Sequence, residues 1–272
     1  MRQMTGKQSI SFAKAVYIEG SAAIVGEKEK DGPLGEYFSH TLSDPMCGQE
    51  SWEEGESELQ LATAKLALQK ANVRPEQIRM IFAGDLLAQS IASSFGLVDL
   101  NCPLYGLFGA CSTMGEALSL GAMAVAGGYG DRVLAGTSRH FGTALAYGNQ
   151  RPPSASWTVT GSGACVLGKT KSRVKITGAT TGKIIDYGLK DNQNMGACMA
   201  PAACDTIAQN LVDFNREPAD YDRIVTGDLG VVGREILLEL LKKKGYDISE
   251  QHSDCGMLIF DPAKQDTGAG GS

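Results

Sequence analysis

Histidine is scarce in this 272-residue chain. There are three, at positions 40, 140 and 252, and only His252 lies close in sequence to a cysteine, Cys255. The seven cysteines (47, 102, 111, 165, 198, 204 and 255) form no C-x-x-C pair, which excludes the usual zinc spacings. Their odd count makes a poor disulfide framework, and most read as small buried hydrophobes. No metal or cofactor is expected. Long apolar runs are also missing: no stretch approaches the roughly 18 residues of a membrane span, and the best, 117–127, is broken by glycine. The N-terminus has basic residues but no apolar core of a signal peptide. The chain therefore reads as soluble or peripherally attached. Its net charge of −6 and lack of a basic stripe exclude a nucleic-acid surface. The one basic run, Lys242, Lys243 and Lys244, closes a helical stretch and complements its dipole.

What the chain does have is an internal repeat. "RPEQIRMIFAGDLL" (74–87) aligns without gaps on "EPADYDRIVTGDLG" (217–230), matching Pro75 to Pro218, Ile81 to Ile224 and Asp85 to Asp228. Upstream, "VYIEGSA" (16–22) resembles "VKITGAT" (174–180). Both halves thus read strand, long loop, helix, turn and strand, an alternation that indicates an α/β layered fold. The first helix is expected over 57–71 with Ser57 as its cap, the second over 201–214, and a third over 233–244. Strands are expected over 132–135, 164–168 and 256–260. The division falls at 1–170 and 171–272. By the first half's example, the second half is incomplete at its C-terminus by roughly 50–70 residues. The polar segment 27–58 reads as a long loop, either a partner-binding surface or an idle one.

"GACVLGKT" (163–170) matches a phosphate-loop pattern letter for letter. Its middle residues, however, form a buried strand pattern, and a further strand follows where a helix would be needed. It is not a nucleotide site. The stretch "FGACSTMGEAL" (108–118) is more informative, because it places Cys111 where a helical pattern begins. First-turn amides and the helix dipole there favour a thiolate. Cys111 is either such a nucleophile or a buried structural cysteine, and the residues alone leave both readings open.

Two strand–helix halves, a cysteine opening the central helix, and "TGSGACVLG" closing the first half resemble the thiolase-like superfamily of condensing enzymes. The stretches "FGACSTMGEALSLGAM", "SRHFGTA", "YGNQRPPSASWTVTGSGACVLG", "DYGLKDNQNMGACMAPAACDTI" and "GYDISEQHSDCGMLIFD" resemble, more narrowly, the stage V sporulation protein AD family of endospore formers. The resemblance covers nearly the whole chain. Between "HFGTA" and "YGNQRP" it departs from the family, with only Ala144, Leu145 and Ala146 bridging the gap. The resemblance implies a thiolase-like duplicated fold with α-β-α-β-α layers. It also implies binding of dipicolinic acid (pyridine-2,6-dicarboxylate), alone or as a calcium chelate, for uptake into the developing spore. The expected partners are then membrane subunits of a spore dipicolinate channel and a second copy of the chain. The expected place is the spore inner membrane, attached peripherally.

In the superfamily, a histidine follows the strand that here reads "RIVTGDLG", and Asp228 stands in its place. A carboxylate cannot donate to a developing oxyanion unless protonated. Cys111 is therefore expected to line a binding pocket in a chain that is not an enzyme. The amides at Cys111, Ser112 and Thr113 offer an anion site. Gly161, Ser162 and Gly163 allow close backbone approach, while His140, Asn194, Met195 and Met199 are expected near the opening. Arg151 is a candidate charge, and Glu116 a neighbour that would oppose an anion. Two alternatives stay open: thioester-dependent acyl transfer at Cys111, and a scaffold with a vestigial pocket.

Overall fold

The computed structural model describes residues 3–86, 89–140, 156–191, 194–261, 263–265, 267 and 270–271. The first half runs β1 (Met4–Thr5), β2 (Ser9–Val25), α1 (Glu27–Lys30), β3 (His40–Thr41), α2 (Trp52–Ala71), β4 (Ile81–Asp85), α3 (Ile91–Gly96), β5 (Leu104–Gly106), α4 (Thr113–Gly127), β6 (Arg132–Arg139), β7 (Trp157–Thr158) and β8 (Gly161–Gly168). The second half runs β9 (Val174–Thr180), α5 (Met195–Phe214), β10 (Ile224–Thr226), α6 (Gly230–Lys243), β11 (His252–Asp254), α7 (Cys255–Ile259) and β12 (Gly270–Gly271).

The main sheet is ordered β1-β2-β8-β6-β4-β5, with β3 and β9 also paired to β2. Strands β4, β5 and β6 are parallel, and β8 runs antiparallel to β6 and β2. Alternation along the strands assigns each side chain to a face. Ile81, Ala83, Leu134, Ala164 and Val166 pack with Leu61, Ala64, Ala67 and Leu68 of α2. Phe82, Val133, Ala135, Cys165 and Leu167 pack on the opposite face with Ala117, Ala122 and Val125 of α4. Each fully buried Leu or Ile contributes about 1.5–3 kcal/mol. Small residues let α4 lie low on the sheet: a Cβ on Gly121 would stand 2.8 Å from Leu167 Cδ1.

One segment of the repeat has the same local structure in both copies. Both copies enter their second strand through a 3-10 turn led by proline, Pro75–Gln77 before β4 and Pro218–Asp220 before β10. In each turn a side chain three residues on holds the first backbone amide: Gln77 accepts from Arg74 N at 2.9 Å, Asp220 from Glu217 N at 2.8 Å. The second half has its own core, where Ala200, Cys204 and Ala208 of α5 meet Leu237 and Leu241 of α6. There the helices touch backbone to backbone, and a Cβ on Gly196 would lie 2.2 Å from Leu229 O.

Several expected boundaries are corrected. Helix α2 starts at Trp52, not at residue 57, because Ser51 and Glu54 form a capping box in "SWEE". The Ser57 hydroxyl instead donates to Glu53 O at 2.8 Å. Helix α5 starts at Met195, capped by Asn194, and carries Pro201 in its interior. Strand β6 runs on to Arg139, four residues past the expected end. Residues expected as a strand over 256–260 fall in α7 and its end; the strand there is β11. Segment 27–58 is no plain loop, since α1, β3 and the first turns of α2 lie in it. The phosphate-loop lookalike sits in β8, paired on both edges, and so has no free amides to cradle a phosphate.

Candidate functional site at the start of the cysteine helix

Cys111 lies in a 3-10 turn, Ala110–Ser112, one residue ahead of the N-cap of α4. Ala110 holds the turn in a left-handed conformation, φ 47°, which costs a non-glycine residue about 1–2 kcal/mol. The turn uses its own donors. Ser112 N donates to Gly109 O at 3.0 Å, and Thr113 N to Ala110 O. The Ser112 hydroxyl donates to Gly109 O at 2.7 Å, and the Thr113 hydroxyl to Ala110 O at 2.8 Å. Two of the three amides expected to receive an anion are therefore already engaged. Glu116 adds a negative charge over the same turn, with Oε2 and Ser112 Oγ 2.7 and 2.8 Å from where a Cβ on Gly109 would be. This end of α4 already holds a carboxylate of its own.

Positive charge comes from a residue absent from the sequence reading. Arg139, at the C-terminal end of β6, pairs with Gly161 of β8. Burial pushes its guanidinium below its usual range, while Cys111, Asp228 and Glu56 nearby hold it charged. These three come from α2, the Cys111 turn and the loop after β10, so Arg139 is where both halves of the repeat meet. Its Nη2 donates to Thr158 Oγ1 at 3.3 Å. Its Nε is buried and makes no hydrogen bond, and no ion pair to it forms among the described residues. Glu56 is fully buried and accepts from Ser138 Oγ at 3.1 Å. Asp228 is half-buried with φ 62°, a second left-handed non-glycine residue at this site. Such strain clusters at functional sites. The C-terminal ends of parallel strands are where α/β folds gather their sites, and extending the strand pattern in "RVLAGTSR" would have found Arg139.

The other expected residues are dispersed. His140 is fully buried, its Nε2 donating to Pro45 O at 2.5 Å and its ring 4.8 Å from that of Trp52, so it does not line an opening. Burial also lowers its tendency to protonate. Ser162 is buried and donates to Thr137 O at 2.9 Å. Among the described residues, no heavy atom lies within 4 Å of where a Cβ on Gly163 would be, whereas Gly161 has ordinary contacts. Asn194 spends its side-chain oxygen capping α5, and Met195 beside it is exposed. Among these, Cys111 and Asp228 are brought together, through Arg139. Arg151 and the Ala144–Leu145–Ala146 bridge lie outside the described residues.

Two layered strand–helix halves with a cysteine opening the central helix define a thiolase-like fold. Solved structures agree. The chain is similar to 3-oxoacyl-[acyl-carrier-protein] synthase III from Aquifex aeolicus, at TM-score 0.61 and 14% identity over 88% of this chain and 83% of that one. It is also similar to cerulenin-bound OleA from Xanthomonas campestris, at TM-score 0.63 and 13% identity over 100% and 86%. At such identity the likeness shows the fold alone. The family comes from closer relatives. Residues 6–272 match the family described as Stage V sporulation protein AD. The Bacillus subtilis (strain 168) protein of that description is 43% identical over 277 aligned residues, 99% of this chain and 82% of that protein. The chain belongs to the Stage V sporulation protein AD family.

Proposed function

We propose that this chain binds dipicolinic acid at the Cys111 turn, without bond-making at the thiol, and serves uptake of that ligand into the developing spore. One observation carries the reading: among the described residues, the charged groups that Arg139 gathers beside Cys111 are carboxylates, not imidazoles. Acyl condensation needs donors preorganised on a developing oxyanion. Asp228 and Glu56 are acceptors unless protonated. His140 is held by Pro45, and His252 donates to Thr226 Oγ1 at 2.9 Å, which in turn donates to Asp254. A small planar dicarboxylate, by contrast, asks for a cation and open backbone, which Arg139 and Gly163 offer.

The same reading makes the protein a peripheral subunit of a membrane channel at the spore inner membrane. Among the described residues no helix is long and apolar enough to cross a membrane. Edge strand β5 and the α3 segment before it expose Ile91, Phe95, Val98, Tyr105 and Phe108, an apolar rim that supports pairing with a second copy. Calorimetric titration of dipicolinate tests the function. Saturable binding by wild type and equally by Cys111→Ser is expected. No heat at millimolar ligand would sink the proposal.

A second reading is acyl transfer, favoured by the partly accessible Cys111 thiol at the head of α4 in a fold shared with condensing enzymes. It requires a mass increase on the Cys111 peptide after incubation with acyl-coenzyme A.

A further inference from the structure

We propose that Arg139 is the carboxylate anchor of this site, holding one carboxylate of the ligand beside the Cys111 thiol. This deepens the dipicolinate reading and rests on it for the ligand's identity, though not for its charge. Three observations carry it. A buried guanidinium normally fills its donors, because each buried donor left unmade costs about 1–3 kcal/mol. Arg139 leaves Nε unfilled and forms no ion pair among the described residues, although Glu56 and Asp228 are near enough to stabilise its charge. A purely structural arginine would be seated on one of those carboxylates; this one leaves Nε unfilled and spends Nη2 on a long bond to Thr158 Oγ1. Its neighbours also shape a slot. Gly161 opposite it has no side chain, Gly163 two residues on has no heavy atom of the described residues within 4 Å of where a Cβ would be, and both belong to the strand paired with β6.

Among the described residues Arg139 is a cation close enough to Cys111 to serve an anion that the α4 terminus would otherwise hold. The Ser112 and Thr113 amides are engaged in their own turn, and Glu116 covers it. A planar guanidinium matches a planar carboxylate through paired hydrogen bonds, which an ammonium cannot reproduce. Arginine, more than net charge, therefore sets the preference for carboxylates here.

The test uses two alkylating probes that differ by a carboxylate, iodoacetate and iodoacetamide, with rates read at the Cys111 peptide by mass spectrometry. The exposed Cys198 serves as internal reference. The ratio of the two rates cancels any change in thiolate fraction. In Arg139→Met the iodoacetate-to-iodoacetamide ratio at Cys111 should fall about tenfold, while the Cys198 ratio stays put. Arg139→Lys should recover only part of it. An unchanged ratio in Arg139→Met overturns the proposal. Loss of the arginine takes a positive charge from beside buried Glu56, so Arg139→Met/Glu56→Gln provides a second variant, its folding checked by thermal unfolding. Dipicolinate titrations separate the two claims. Wild-type binding that Arg139→Met retains in full sinks the anchor and leaves the function standing. A fallen ratio with no dipicolinate binding by wild type keeps the anchor and sinks the ligand.

Discussion

The tripeptide Gly-Asp-Leu occurs once in each half, and its two aspartates do different work. Asp85, at the end of β4, is buried and turned inward. Its Oδ1 accepts from Ser90 N at 3.1 Å, and its Oδ2 from Ser93 N and Ser93 Oγ, both at 2.7 Å, so it ties α3 to the sheet. Asp228, after β10, is half-buried in a left-handed conformation and near Arg139. Loop length explains the divergence. Helix α3 starts at Ile91, far enough downstream for Asp85 to reach its first turn. Helix α6 starts at Gly230, too close for Asp228 to fold back on it. Asp254 at the end of the neighbouring β11 takes the capping role instead, accepting from Leu229 N at 3.1 Å and Gly230 N at 3.0 Å. In one copy the aspartate ties a helix to the sheet, and in the other it stands near Arg139.

That contrast breaks most easily at Asp85. Asp85→Ala should lose about 3–4 kcal/mol in urea unfolding, because three donors lose a buried carboxylate. Asp228→Ala should lose clearly less than Asp85→Ala. Equal losses would erase the distinction. Next in size, Asp254→Ala should cost about 2 kcal/mol, a cap removed from a helix whose first amides are buried. If Asp228 were the real cap, Asp254→Ala would be nearly silent. Asp228→Asn sharpens the functional side. Asparagine tolerates the left-handed backbone and removes a repelling charge, so carboxylate affinity should rise about tenfold by calorimetry with stability little changed.

The smallest effect concerns the tie between the N-terminal hairpin and the second half. Burial alone would push the Asp213 carboxyl up, but the amides of Lys7 and Gln8, the Ser9 hydroxyl and Gln209 hold it down to about 2. A carboxylate depressed in the folded state stabilises it above the ordinary value of 3.8, and that stabilisation fades as pH falls toward 2. Acid unfolding of Asp213→Asn should therefore be flatter than wild type between about pH 4 and 2. Parallel curves would show that the tie contributes nothing.

Much of the frame was legible because it is written locally. The matched prolines with their turns and the buried run of β8 act within a few residues. The helix starts were misread where two signals compete: Ser57 looks like a cap, but Ser51 has Glu54 three residues on to complete the box. At the site, Cys111 and Asp228 were readable as positions in a pattern. Arg139 was not, because β6 was read as ending at Ala135, and the polar residue picked from its end was His140. What buries His140 is Pro45 and Trp52, from a segment far back in the chain. Nor does composition reveal that Ser112 and Thr113 turn their amides inward, since that follows from the left-handed Ala110.

Strand β2 has a consequence for synthesis. Tyr17 pairs with Gly168 on one edge and Lys175 on the other, so this 17-residue strand leaves the ribosome long before either partner exists. At roughly 5–20 residues per second the wait is on the order of ten seconds. For that interval the strand has only β1 and β3 near its two ends, and its middle, with Val16 and Ala22 buried in the finished protein, is exposed to every other nascent chain. The yield of folded protein in a cell should then depend on translation speed and chaperone supply more than on the stability of the finished fold.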